Sequence, residues 1–156
     1  MDLQIIAVGN KMPNWVDQAY QDYAKRIPRE IVITLTQIPV VSRKSNKAIE
    51  KLKKSEAQAI QNKITQGSHT LVLDEKGQQW SSLQWSQQLD KWLMYYPKVN
   101  LVIGGPDGLD SSFLQKQKQK IALGKMTLPH GLVRVVLIEQ LYRAWTLLQG
   151  HPYHRA

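Results

Sequence analysis

The strongest constraint on the fold is the regular alternation of short apolar runs with stretches of helical periodicity. Residues 3–8, 31–38, 69–74 and 99–103 are rich in Ile, Val and Leu and read as strands. Between them, Trp15, Val16, Ala19, Tyr20, Tyr23 and Ile27 share one helical face that stops near Pro28. Ser45 or Asn46 is placed to cap a polar helix reaching about residue 66. Ser81 or Ser82 is placed to cap another, with Leu83, Leu89, Trp92, Leu93 and Tyr96 at helical spacing and Pro97 closing it. A short helix is expected after Asp110, a short strand at 126–128, and a long helix over 132–148. Strands that are apolar throughout and alternate with helices predict an α/β fold, its sheet mostly parallel and covered by helices on both faces.

A chain of 156 residues with 42% apolar content forms one domain, 1–156, with a core of ordinary size. Zero cysteines exclude disulfides, thiolate metal sites and a cysteine nucleophile. The first residues carry no basic segment ahead of an apolar run, so no leader is expected. Arg134, Glu139 and Arg143 interrupt the most apolar stretch, so no membrane span is expected and the cytoplasm is the expected location.

The net charge of +9 sits in two places. Residues 42–63 hold seven bases against two acids, and residues 111–138 hold five bases and no acid. Each segment is +5, and the remainder is −1. Such local surpluses suit a polyanion, and lysine suits phosphate more than base edges. The same pattern also describes a solvated helix face.

Several segments could carry chemistry. Gly104-Gly105-Pro106-Asp107-Gly108 follows an apolar strand, where glycines let a ligand approach the backbone. Neither a dinucleotide fingerprint nor a phosphate-binding loop with its lysine is present. His130 falls in an expected loop, where a structural role is the simpler reading. His151 and His154 are too sparse for a metal site, so no metal is expected. The last helix is apolar nearly all round and needs burial on most sides, which predicts a homodimer packed through it, with Leu141 and Trp145 at the interface.

Residues 101–109 (LVIGGPDGL), 127–134 (TLPHGLVR) and 139–155 (EQLYRAWTLLQGHPYHR) together resemble the SPOUT-class methyltransferases. The opening AVGNKMPNWV and the total length extend the resemblance over the whole chain, to the bacterial ribosomal RNA large subunit methyltransferase H family. That resemblance implies a deep C-terminal trefoil knot, an obligate homodimer and S-adenosylmethionine as methyl donor. It implies methylation at N3 of a pseudouridine in 23S rRNA of the assembled ribosome. The donor site it implies is Leu73, Gly105, Gly124, Lys125, Met126, Thr127, Leu128 and Pro129. The tail Tyr153-His154-Arg155 is implied to face the RNA near the partner's donor, with His154, or a water held by the tail, the candidate base and Arg155 a phosphate contact. The alternative is a non-catalytic ribosome- or RNA-binding protein.

Overall fold

Four of the apolar runs become strands of one five-stranded sheet, all parallel, in the order β2-β1-β4-β3-β5. The computed structural model describes residues 1–40 and 48–154, the last of them in its backbone only. In chain order the elements are β1 (Asp2–Val8), α1 (Asn14–Ala24), β2 (Val32–Ile38), α2 (Ile49–Lys63), β3 (His69–Gln79), α3 (Ser82–Tyr95), β4 (Lys98–Ile103), α4 (Ser111–Lys116), β5 (Lys120–Ala122) and α5 (His130–Leu148). A 3-10 turn, Pro152–His154, follows.

Both sheet faces are covered, and the strand residues alternate between them. Leu3, Ile5, Leu71 and Leu101 face a core shared with Tyr20 of α1, Trp85, Leu89 and Trp92 of α3, and Leu137, Ile138 and Leu141 of α5. Ile6, Val8, Val72 and Val102 face a second core with Ala57 and Ile60 of α2 and Phe113 of α4. Each fully buried Leu or Ile contributes about 1.5–3 kcal/mol by leaving water, so two such layers hold a parallel sheet together. Ser81 makes a capping box with Gln84, which fixes where α3 starts, and Asp110 caps α4 through the Phe113 N–H.

Several expectations are corrected. Strand β3 does not stop at Glu75-Lys76-Gly77 but continues to Gln79, with an irregularity between Leu73 and Gln78. No strand forms at 126–128; the edge strand is Lys120–Ala122. His130 opens α5 instead of lying in a loop. The core face of α3 is Trp85, Leu89 and Trp92, at i, i+4 and i+7, while Leu83 is exposed; Trp80, Trp85 and Trp92 pack edge to face. Helix α2 starts at Ile49 with Ala48 in the cap position, and the expected caps Ser45 and Asn46 lie outside the described residues. Trp15 is 53% exposed, although it was expected on the buried face of α1. Leu141 lies in the core at 2% exposure, so it is not a free interface position.

Candidate active site

The carboxyl ends of β3, β4 and β5 open into one cleft of about 700 Å³, which α4 and the start of α5 complete. Parallel sheets present ligands with this edge, where strands end and loops diverge. Two glycines let its floor pack closely. A Cβ on Gly104 would lie 2.8 Å from Leu109 Cγ, and one on Gly105 would lie 3.0 Å from Val8 Cγ1. Gly108, at φ +77°, closes the turn by donating its N–H to the Gly105 carbonyl at 3.0 Å. Ile103, Leu109, Leu114, Ile121 and Leu123 supply apolar walls, and Asp74 and Glu75 stand among the lining residues.

Beneath the cleft lies a polar network that sequence reading did not assemble. Arg134 is 1% exposed. Its Nε donates to His130 Nε2 at 3.1 Å, its Nη1 to Gln37 Oε1 at 2.9 Å and its Nη2 to the Gly9 carbonyl. With Nε2 accepting, His130 carries its proton on Nδ1, which lies 3.0 Å from the Gly104 carbonyl. Burial, then the Arg134 charge, holds the His130 imidazole below its ordinary pKa. The network thus ties the ends of β1, β2 and β4 to the first turn of α5. The i, i+4 spacing of His130 and Arg134 was the available signal, and the loop assignment for His130 hid it.

Of the expected donor-site residues, Leu73, Gly105, Gly124, Met126, Thr127, Leu128 and Pro129 all line this cleft. Lys125 does not line it, though it belongs to the same loop. Among the described residues no cluster of His, Asp and Glu is assembled to hold a metal.

The tail lies elsewhere. Helix α5 has 19 residues, so at 1.5 Å per residue it carries the chain about 28 Å from the cleft before the tail begins. The tail then folds back along the helix, where Tyr153 donates its hydroxyl to Glu139 Oε1 at 3.0 Å and packs its ring 4.6 Å from that of Tyr142, near the middle of α5. Burial, with Tyr23 and Glu139 beside it, pushes the Tyr153 phenol well above the ordinary tyrosine range. His154 is described in its backbone only, and Arg155 lies outside the described residues.

Comparison with known proteins places this architecture. A family model described as "Predicted SPOUT methyltransferase" matches residues 1–154. The chain is 47% identical over 155 residues to the ribosomal RNA large subunit methyltransferase H of Hydrogenovibrio crunogenus, covering 99% of each protein. It is 48% identical to the protein of that name from Hahella chejuensis, again over 99% of each. It is 41% identical to that of Pseudomonas putida strain W619, over 99% of this chain and the whole of the relative. A parallel α/β sheet with a glycine-lined cleft at its carboxyl edge, matched end to end by these proteins, belongs to the SPOUT methyltransferase family.

Proposed function

We propose that the protein is a homodimeric, S-adenosylmethionine-dependent methyltransferase acting at N3 of a pseudouridine in large-subunit rRNA of the assembled ribosome. The observation that carries this reading is near-full-length identity of 41–48% to enzymes named for methylating large-subunit rRNA. The cleft suits the donor. Its volume lies in the range of small-molecule sites, and its aliphatic walls fit an adenine ring. The Asp74 and Glu75 carboxylates complement a sulfonium and an amino group. Leu73, Gly105, Gly124, Met126, Thr127, Leu128 and Pro129 hold the donor, with Lys125 at the loop's outer side.

Bound there, the donor supplies an electrophilic methyl carbon that an incoming nitrogen takes by direct displacement. The protein has to align the two partners and receive the N3 proton. The tail bears on how it does so. In one chain it is held against the middle of α5 and lines no part of its own cleft, whereas two α5 helices running antiparallel about a two-fold axis would bring each tail to the partner's cleft. His154 then receives the N3 proton, and Arg155 and the surface lysines hold phosphates. An apolar groove lined by Met12, Pro13, Trp15, Val16, Pro129, Gly131 and Leu132 sits beside the donor loop, and Trp15 and Leu132 are exposed on it. A second subunit covers that surface in this reading. The family implies a C-terminal knot, and this reading includes one. No described helix is long and apolar enough to cross a membrane, and a ribosomal substrate suits the bacterial cytoplasm.

The test is transfer of tritiated methyl to assembled ribosomes, separated subunits and naked rRNA, followed by digestion to nucleosides. Label in N3-methylpseudouridine from assembled ribosomes is the expected result. Label on naked rRNA alone overturns the ribosomal stage, and label in another nucleoside overturns the N3 assignment. Failure to bind donor or transfer methyl favours the non-catalytic RNA-binding protein.

A further inference from the structure

The chain beyond α5 is held against the helix by a set of contacts that a loose terminus would lack. Gly150, at φ +66°, reverses the chain in a Schellman turn. The His151 N–H donates to the Thr146 carbonyl at 2.9 Å, and the Gly150 N–H to that of Leu147 at 3.4 Å. The Tyr153 N–H then donates to His151 Nδ1 at 3.2 Å, and its hydroxyl donates to Glu139 Oε1. The same carboxylate oxygen accepts from Arg143 Nε at 2.9 Å, and the Arg143 guanidinium lies 5.1 Å from the centre of the Tyr153 ring. The other oxygen, Oε2, accepts from Gln140 Nε2 at 2.7 Å, and Gln140 Oε1 accepts from Ser82 of α3 at 2.7 Å. Helices α3 and α5 and the tail therefore share one continuous hydrogen-bonded chain. A carboxylate that must satisfy several donors at once fixes each of them more firmly than separate pairs would.

We propose that Glu139, Arg143 and Tyr153 form a latch that sets the position of the terminal residues for methyl transfer, with Tyr153 a positioning residue rather than a reacting one. The Tyr153 hydroxyl is committed to Glu139, and its proton is held more tightly than that of a free tyrosine, so it neither accepts nor releases a proton near neutral pH. What it provides is a fixed starting point, one residue before His154. The proposal rests on the reading that the tail acts in methyl transfer.

The decisive variant is Tyr153→Phe, which removes one oxygen and keeps the ring on Tyr142. Donor affinity by calorimetry and the sedimentation profile should match wild type, because Tyr153 lines no part of the cleft and the substitution leaves the apolar surface of α5 as it was. The backbone order parameter at residue 153, rigid in wild type, should fall below about 0.6. Single-turnover methyl transfer to ribosomes should slow by about tenfold or more, the loss of one charge-assisted hydrogen bond. Glu139→Gln, which keeps an acceptor oxygen, should transfer faster than Glu139→Ala. A Tyr153→Phe tail as rigid as wild type, an undiminished transfer rate, or equal loss in the two Glu139 variants overturns the latch. Wild-type protein that binds donor but methylates no ribosome overturns the function instead, and the order parameters still decide whether the latch exists.

Discussion

A guanidinium at 1% exposure must find a partner for its donors, and Arg134 finds its partners on three different elements. Its role differs from that expected of a basic residue in a charge surplus, since it meets no phosphate and instead ties strand ends together under the cleft. Arg134→Leu leaves the Gly9 carbonyl, Gln37 Oε1 and His130 Nε2 without their donor, at about 1–3 kcal/mol for the buried Gly9 carbonyl and less for the other two, which water can reach. The expected outcome is a lower urea midpoint together with weaker donor binding, because His130 no longer holds Gly104. An unchanged midpoint would count against the network. His130 also gives a pH dependence of definite sign. Its folded pKa lies below the ordinary value of about 6.5, so between the two the unfolded chain binds a proton that the folded chain refuses. Stability from this group is unaffected above that value and falls as pH drops below it. His69, also lowered by burial, adds in the same direction, so the comparison is with His130→Gln. The wild-type melting temperature should fall more steeply than the variant's from pH 7 to pH 5, and parallel profiles would remove His130 as the source.

At the scale of elements, periodicity located the long pieces and missed those defined by contact. Strands β1 and β4 were legible because their side chains fill both faces of a covered sheet, and the edge strand β2 because Ile, Val, Leu and Thr alternate along it. Strand β5 is three residues long, below the length at which a pattern can be read. The extension of β3 was hidden by Gly77, which reads as a terminator. In the structure that glycine lies against β5, where a Cβ would come within 2.6 Å of the Ile121 nitrogen, so it is the residue that permits pairing. Helix α5 was legible as buried on most sides, but the pattern did not divide its inner surface from its outer one. Leu141 and Ala144 belong to the core, while Leu132 is 37% exposed beside Trp15. Trp15→Glu and Leu132→Glu should therefore give a folded protein with weakened self-association in sedimentation velocity. Leu141→Glu should instead lower the melting temperature sharply, because it buries a carboxylate in the core. A Trp15→Glu, Leu132→Glu double variant that sediments like wild type would place the subunit contact elsewhere.

For the whole molecule, described lysines from the two charge surpluses lie on one side of the sheet. Helices α2 and α4 pack on the same sheet face, so Lys51, Lys54 and Lys63 of the first run share a side with Lys116 and Lys118 of the second, all exposed. The opposite face, built from α1, α3 and α5, holds the proposed subunit contact. Separated in sequence, the runs suit a polyanion surface or two solvated faces alike, and the shared sheet face is what joins them. A lysine face of this kind binds phosphates by releasing counterions, so its mark is the salt dependence of affinity rather than sequence preference. Replacing Lys51, Lys54, Lys116 and Lys118 with Gln should weaken ribosome binding. It should also flatten the plot of log affinity against log salt by about 0.9 for each lysine that meets a duplex phosphate. Donor affinity should stay at the wild-type value, since none of the four lines the cleft. Lys91→Gln, on α3 across the sheet, should leave the slope as it was. A slope that does not change in the fourfold variant would assign the ribosome contact to another surface and return these lysines to the role of a solvated face.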